Sequence, residues 1–148
     1  DMVLQTDGLT QLVNRLGYEH YLARLRVPAT ILMFDVDRFK DVNDCHGHLM
    51  GDACLRTIAG CIRRAYGNYG TCFRIGGDEF CVILTRRNAQ YNTMTEIFQH
   101  LMDAARAENP VLPMVSVGCS HFNPSTDDLA DSLARADARM YQNKEAHR

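Results

Sequence analysis

The stretch that decides the fold is Thr71-Cys72-Phe73-Arg74-Ile75-Gly76-Gly77-Asp78-Glu79-Phe80-Cys81-Val82-Ile83-Leu84. Two runs of strand-forming residues flank adjacent glycines, a pattern typical of a β-hairpin because glycine adopts positive φ angles without steric cost. Glycine also leaves room for a ligand to approach the backbone. Two acids follow the glycines directly, which is unusual for a plain turn. The stretch therefore predicts a hairpin whose tip presents carboxylates.

A second pair of acids lies at the end of an upstream apolar run. Residues 29–34 read Ala-Thr-Ile-Leu-Met-Phe, and Asp35 and Asp37 follow. Continuous hydrophobicity over this length is typical of a central strand buried on both faces. Carboxylates brought together raise one another's pKa unless a divalent cation neutralises them, and oxygen ligands suit Mg²⁺ or Mn²⁺. Taken alone, each acid pair also fits an ordinary strand end or a solvated turn.

Apolar residues at helical spacing predict four helices around these strands. The stripes cover residues 9–25, 55–66, 94–105 and 129–140, and another strand is predicted at 114–119. Asp7 or Thr10 is a candidate N-cap for the first helix, and Ser125 or Thr126 for the last. The predicted order is α-β-α-β-β-α-β-α. We therefore expect an α+β fold with a ferredoxin-like β-α-β-β-α-β core: an antiparallel sheet, core helices on one face, and extra N- and C-terminal helices.

Length and composition narrow the class of protein. With 148 residues and 46% apolar content, residues 1–148 are expected to form one domain, which we interpret as the C-terminal catalytic part of a longer protein. The net charge of −2 provides no global positive field for a nucleic-acid polymer. The six cysteines include no C-x-x-C pair and indicate reduced, mostly buried thiols, hence a cytoplasmic setting. The chain contains no run of 18 apolar residues, so we expect no membrane contact by this segment, with any tether to a membrane or a sensor domain supplied by another part of the full-length protein.

Three further motifs lead to a family resemblance. Residues 35–52 satisfy D-x-D-x-F-K-x-x-N-D-x-x-G-H-x-x-G-D at every fixed position. Residues 136–144 are similar to A-D-x-A-L-Y-x-A-K, and residues 7–15 to D-x-L-T-G-L-x-N-R. Together with Gly-Gly-Asp-Glu-Phe at 76–80, these motifs make nearly the whole chain resemble the GGDEF family of diguanylate cyclases. The resemblance implies condensation of two GTP into cyclic di-GMP with release of two pyrophosphates, at the interface of a homodimer.

The resemblance also implies a metal site. Asp35 and Asp78 would bind Mg²⁺ or Mn²⁺ together with the carbonyl of Val36. Asp78 and Glu79 would be the catalytic acids, with Glu79 either a second metal ligand or a group that polarises the 3′-hydroxyl of GTP. The residues alone do not decide between these two roles, nor do they identify a sole general base.

A further set of residues is implied to bind the substrate. Asn43 and Asp52 would hydrogen-bond guanine, in agreement with the chemistry, since a carboxylate accepts from the N1 and N2 donors that adenine does not offer as a pair. The implied phosphate contacts are the backbone amides of Arg38, Phe39 and Lys40, the glycines Gly76 and Gly77, and the cations Lys144 and Arg148. Because Lys144 and Arg148 are four positions apart, they would share a helix face if the helix continues.

The chain departs from the family pattern at a few positions. Gln11 and His147 replace glycines, and Asn143 replaces alanine, so the surroundings of Arg148 differ from the family pattern. His46 and His48 lack a third ligand at zinc spacing, so we expect both in loop structure.

The inhibitory product site of the family is expected to be absent. Its R-x-x-D pair would fall on Gly67 and Gly70, and neither supplies a guanidinium or a carboxylate. Because receptor members of the family generally rely on that site, its absence favours an enzyme. The alternatives left open are a non-catalytic GTP-binding domain and a protein-interaction module.

Overall fold

The computed structural model describes residues 5–86 and 90–148. The elements in chain order are α1 (Arg15–Arg24), β1 (Ala29–Val36), α2 (Phe39–His46), α3 (His48–Tyr66), β2 (Gly70–Arg74), β3 (Glu79–Leu84), α4 (Tyr91–Glu108), β4 (Val115–Phe122) and α5 (Leu129–Ala146). The strands form one antiparallel sheet in the order β2-β3-β1-β4. This is the predicted ferredoxin-like core, and the fold class is confirmed.

The two core helices cover one face of the sheet, as predicted. The rings of Phe34 in β1, Tyr66 in α3 and Phe98 in α4 meet edge-on or tilted, with centroids 5.4 to 6.1 Å apart. All three rings are fully buried. Aromatic residues of this size contribute large buried areas, so this cluster anchors α3 and α4 to the central strand.

The opposite face is covered by the terminal helices, so the sheet lies between two helical layers. Tyr18 and Tyr21 of α1 each contact Phe73 edge-on, with centroids 5.3 Å apart. From α5, Ala136 and Met140 are buried in the same cluster. Successive residues of a strand point to opposite faces of the sheet. The strands therefore supply a second hydrophobic core, between the sheet and the terminal helices.

The first helix begins later than predicted. Asn14, rather than Asp7 or Thr10, is its N-cap, and its side chain accepts a hydrogen bond from the Gly17 amide. The preceding residues are held in a loop, in which Asp7 accepts hydrogen bonds from the amide and hydroxyl of Thr10. Gln11 lies in this loop with a φ of 65°, a conformation that a helix does not allow. The last helix likewise begins at a different cap, Asp128, which accepts from the Ala130 amide.

One helix was not predicted. α2 has only eight residues and buries only Val42, so it is shorter than the stretch over which apolar periodicity indicates a helix. It also changes the interpretation of the two histidines, because His46 ends α2 and His48 begins α3 rather than lying in a loop. Gly47 joins the two helices with a φ of 84°, a conformation that favours glycine.

The cysteines are all free, as predicted, and four are buried: Cys54, Cys61, Cys72 and Cys81. Burial raises the pKa of each of these thiols. Within the described ranges, no helix combines the length and the apolar content that crossing a bilayer requires.

Candidate functional site

The acids of the hairpin and of the central strand lie side by side. β1 and β3 pair in a register that sets Asp35 opposite Glu79. One step further, the Val36 amide donates a hydrogen bond to the carbonyl of Asp78 at 3.1 Å. Antiparallel pairing thus brings together residues that are far apart in the sequence. Asp35, Val36, Asp78 and Glu79 occupy one end of the two central strands.

The turn between β2 and β3 is a hairpin, as predicted, but its glycines are not explained by positive φ angles. Among the described glycines only Gly47 has one. The turn is closed by the amides of Ile75 and Gly76, which both donate to the carbonyl of Glu79, at 2.9 and 3.3 Å. A Cβ at position 76 would collide with the Glu79 side chain, whereas one at Gly77 would meet nothing within 4 Å. Glycine at position 76 therefore makes room for an acid.

A pair of residues that the sequence analysis did not select braces this turn. The Arg74 guanidinium donates to the carbonyls of Gly76 and Gly77 at 2.8 to 3.2 Å. It also pairs with the Asp7 carboxylate at 3.2 Å. Although burial acts to raise the pKa of Asp7, the hydrogen bonds from Thr10 and the contacts with Arg74 hold that pKa below its ordinary value. Asp7 lies in the motif at residues 7–15 and Arg74 in the hairpin stretch at residues 71–84, and these positions could have indicated a role for both residues.

Lys144 reaches the acids from α5. Its Nζ lies 2.5 Å from Asp35 Oδ2 and 3.8 Å from Asp37 Oδ1. Burial acts to lower the pKa of Lys144, but the hydrogen bond to Asp35 and the charges of Asp35, Asp37 and Asp78 raise it overall. The ammonium therefore stays protonated in contact with the carboxylates.

Asp37 is engaged by protein groups on both of its oxygens. The buried Ser116 hydroxyl donates to Oδ1 at 2.6 Å, and His147 Nδ1 lies 2.5 Å from Oδ2. Among the described residues, Asp35 has one side-chain partner, Lys144 on Oδ2, so Asp35 rather than Asp37 keeps a carboxylate oxygen for a ligand.

The electrostatics of the hairpin acids are those of a cation site. Burial raises the pKa of Asp78 and that of Glu79, and the charge of Asp35 raises both further. Negative charge is thus concentrated here, although the charges of Lys144 and Arg74 act to lower the pKa of Asp78, and that of Arg15 acts to lower the pKa of Glu79. In the described part of the chain, no group of three or more His, Cys, Asp or Glu side chains is arranged to hold a metal ion. The chemistry of the donors still fits Mg²⁺ or Mn²⁺, because such ions are commonly bound by one or two carboxylates together with substrate phosphates.

The predicted phosphate-binding amides lie at the N-terminus of α2. Arg38 is the N-cap residue, with a φ of 53°. Among the hydrogen bonds of residues 5–86 and 90–148, none has the amide of Arg38, Phe39 or Lys40 as its donor. Free amides at a helix N-terminus favour anions. The Lys40 side chain is directed elsewhere and pairs with Asp44 at 2.7 Å.

The predicted guanine-binding residues lie on α2 and α3. Asn43 and Asp52 are both half-buried. Gly51 allows the two helices to approach, since a Cβ there would collide with the Asn43 side-chain amide and lie 3.3 Å from the Phe39 ring. The structure therefore brings Asn43 next to the residue that precedes Asp52.

The predicted shared face of Lys144 and Arg148 is wrong. The helix ends at Ala146, and His147 is its C-cap. Arg148 is largely exposed and pairs with Glu145 at 3.5 Å, rather than with the carboxylate cluster. The condition on which the expectation rested, a helix that continues through position 148, is not met.

The two positions at which the product site is predicted to be absent lie where α3 ends and β2 begins. Gly67 is the C-cap of α3, and Gly70 is the first residue of β2. A Cβ at Gly70 would collide with the Ile83 carbonyl on the paired strand. The structure thus has a steric reason for glycine at this position, while the loss of product inhibition stays a prediction.

Comparisons with known proteins agree with this geometry. Residues 4–148 match the family model described as diguanylate cyclase, GGDEF domain. An uncharacterized 19.3 kDa protein of Streptomyces ambofaciens is 36% identical in an alignment 144 residues long, which covers 93% of this chain and 77% of that protein. A diguanylate cyclase of Vibrio cholerae is 33% identical over 154 residues, covering 94% of this chain but 46% of its own length.

The solved structures lead to the same family. The GGDEF domain of DgcB from Caulobacter crescentus, determined in complex with c-di-GMP, superposes with a TM-score of 0.81 at 28% identity. The match covers 97% of this chain and 92% of that domain. Fold, motif positions and family model therefore agree, and the chain belongs to the diguanylate cyclase GGDEF domain family.

Proposed function

We propose that this domain is a diguanylate cyclase that condenses two GTP into cyclic di-GMP and two pyrophosphates. The observation that carries the proposal is the juxtaposition of Asp35, Asp78 and Glu79 with Lys144 at one end of the sheet. Acids concentrated at this point, with raised pKa values at Asp78 and Glu79, suit a reaction that needs a divalent cation and a polyphosphate.

The reaction forms two phosphodiester bonds. The 3′-oxygen of each GTP attacks the α-phosphorus of the other, the bond between the α-phosphorus and the bridging oxygen to the β-phosphorus breaks, and pyrophosphate leaves. Each 3′-hydroxyl loses one proton. A bound Mg²⁺ or Mn²⁺ would supply charge neutralisation on the phosphates and a lowered pKa for the attacking hydroxyl.

The residues of the chain supply binding and orientation. Asp35, Asp78 and the carbonyl of Val36 are the proposed metal ligands. The free amides at the start of α2 would hold phosphate oxygens, and Lys144 would provide a counter-charge. The Asp52 carboxylate would accept hydrogen bonds from the guanine edge, and the Asn43 amide, which can both donate and accept, would bond the same edge.

Glu79 is assigned either to the metal or to the 3′-hydroxyl. Glu79→Gln separates the two roles. Weaker Mn²⁺ binding by this variant supports the ligand role, and unchanged Mn²⁺ binding with lost turnover supports the hydroxyl role.

Catalysis would require two copies of the domain. Each copy has one set of these residues and would hold one GTP, whereas the product joins two. Two domains facing each other across a two-fold axis would bring each 3′-hydroxyl to the opposite α-phosphate. The homodimer is therefore part of the proposal.

Incubation with GTP and Mg²⁺, followed by chromatography of the nucleotides, tests the activity. Turnover should be lost in Asp78→Asn and kept in the matched control Asp103→Asn, because Asp103 lies exposed on α4 and pairs with Arg106. GTP binding without cyclic di-GMP formation by the wild-type dimer would favour a non-catalytic GTP-binding domain. Neither binding nor turnover would favour an interaction module.

The base preference is tested separately. Asp52→Ala should weaken GTP binding about tenfold or more, because the guanine donors lose a charged acceptor. ATP binding, weak in both proteins, should not change. Unaltered GTP affinity in this variant contradicts the assignment of Asp52.

A further inference from the structure

The last turn of α5 is tied to the sheet on both sides of Lys144. Asn143 Oδ1 accepts a hydrogen bond from the Val117 amide of β4 at 2.8 Å. Four residues later, His147 Nδ1 lies 2.5 Å from Asp37 Oδ2, just beyond β1. We call Asn143 and His147, with their partners Val117 and Asp37, the C-terminal latch.

The latch contacts are sheltered and specific. Asp37 and His147 have side chains that are 12% and 24% exposed. Asn143 binds an amide of the edge strand β4, which pairs only with β1 within the sheet. Hydrogen bonds that are partly buried or involve a charged group contribute more than exposed ones. The latch therefore restricts the position of the chain at residues 143 and 147.

Between these two points, Lys144 is held against Asp35. A free lysine side chain samples many rotamers, and an exposed ion pair constrains it little. Here the backbone of Lys144 is fixed on either side, and its Nζ is 2.5 Å from Asp35 Oδ2. That oxygen belongs to a proposed metal ligand. An ammonium group and a divalent cation cannot both occupy the same position beside it.

We propose that the C-terminal latch lowers the affinity of the carboxylate cluster for divalent cations by holding the Lys144 ammonium on Asp35 as a competing cation. Asn143 and His147 are then positioning residues that act through Lys144. This inference rests on the proposed function, because it takes Asp35 and Asp78 as the metal ligands. Displaced from Asp35, the Lys144 ammonium becomes available to the phosphates of the substrate.

Mn²⁺ binding without nucleotide, measured by electron paramagnetic resonance of the free ion, tests the proposal. Lys144→Met should raise the affinity about threefold to tenfold, because the competing charge is lost. His147→Gly and Asn143→Ala should each raise it about twofold to threefold, because they loosen Lys144 without removing it. The matched control Arg148→Met removes a charge from the same segment away from Asp35 and should leave the affinity unchanged.

A double-mutant cycle separates this role from a merely structural one. In the Lys144→Met background, His147→Gly and Asn143→Ala should have no further effect on Mn²⁺ affinity. Thermal unfolding of every variant identifies any that fails to fold, and the latch is altered at two independent positions so that one remains usable. A lower melting temperature with unchanged Mn²⁺ affinity in both latch variants would overturn the proposal.

Two other outcomes are equally decisive. Latch substitutions that change the affinity equally with and without Lys144 would overturn the inference while leaving the metal site intact. Wild-type Mn²⁺ binding that does not respond to Asp78→Asn would instead overturn the proposed metal site.

Discussion

Gly51 and Gly60 lie on the same helix, α3, but they have opposite surroundings. A Cβ at position 51 would collide with the side chain of Asn43, while a Cβ at position 60 would meet nothing within 4 Å. Glycine within a helix costs stability relative to alanine. No packing contact in the structure explains glycine at position 60. At position 51, the missing side chain leaves space for Asn43 of the proposed guanine site.

We expect Gly51→Ala to weaken GTP binding about tenfold, because the added methyl group displaces the Asn43 amide and one guanine hydrogen bond is lost. Isothermal titration calorimetry with GTP measures the change. Gly60→Ala is the control on the same helix: its free energy of unfolding should rise by about 0.5 to 1 kcal/mol with no change in GTP affinity. Equal GTP affinities in the two variants would contradict the placement of Asn43 in the guanine site.

At the scale of elements, the N-terminal loop supports the hairpin that carries Asp78 and Glu79. The Val13 amide donates to the Cys72 carbonyl, and the Arg74 amide donates to the Val13 carbonyl, so the loop runs along the edge strand β2. Asp7 adds the ion pair with Arg74, whose guanidinium holds the turn carbonyls. These contacts connect the start of the domain to the glycines beside the acids.

Asp7→Asn should therefore destabilise the domain in a pH-dependent way. Since the folded pKa of Asp7 lies below its ordinary value of 3.8, its stabilisation is present above that value and is lost as pH falls through the folded pKa. We expect the variant to be less stable by about 1 to 2 kcal/mol at pH 7, with a smaller difference at the lowest pH at which both proteins fold. Urea unfolding over a pH series measures this, and a difference independent of pH would contradict the role of the Asp7 charge.

The packing of α5 on β4 depends on one small residue. A Cβ at Gly118 would collide with the backbone of Ala136 and Met140. Ala136 and Met140 are themselves buried against the sheet. Because backbone cannot move aside as a flexible side chain does, α5 would have to shift away from β4.

Gly118→Ala should lower the free energy of unfolding by about 1 to 3 kcal/mol, the range for overpacking a core, and should move Lys144 away from Asp35. Chemical denaturation measures the first effect. Nuclear magnetic resonance of the Val117 amide, which loses its Asn143 partner if the helix shifts, measures the second. An unchanged stability and an unchanged Val117 resonance would show that the contact between α5 and β4 is not this tight.

At the scale of the whole molecule, the proposed active site is incomplete in one copy. Each domain contributes one set of carboxylates to a reaction that joins two nucleotides. If two copies must each hold a competent GTP, an inactive copy should inactivate its partner as well. This distinguishes the proposed two-fold site from a site contained in a single domain.

Mixing experiments check this requirement. In a 1:1 mixture of wild-type and Asp78→Asn domains that exchange freely, cyclic di-GMP formation should fall to about one quarter of that of the same total amount of wild type, since only wild-type pairs are competent. An equal mixture with Asp103→Asn should lose no activity. A fall to about one half in the Asp78→Asn mixture would indicate that each domain works independently.

The order of the core elements could be predicted from local sequence. Apolar runs and helical stripes indicate β1, β3, α3, α4 and α5 because burial on one or two faces leaves a periodic pattern. Resemblance to the family motifs selected Asp35, Asp78 and Lys144 as candidate site residues, and the structure brings them together. α2 was not predicted because its eight residues are too few to establish a helical period. The start of α1 was misplaced because a loop stabilised by Asp7 and Thr10 contains leucines at helical spacing.

Contacts between distant segments decided the rest. The roles of Arg74, Asn143 and His147 depend on carbonyls, amides and carboxylates that other elements supply, and no local pattern encodes those partners. The same holds for the different contacts of Asp35 and Asp37, which are the same type of residue and lie two positions apart. Strand pairing and the packing of α5 place one beside Lys144 and surround the other with Ser116 and His147, because a side chain's function depends on which neighbours the fold brings within hydrogen-bonding distance.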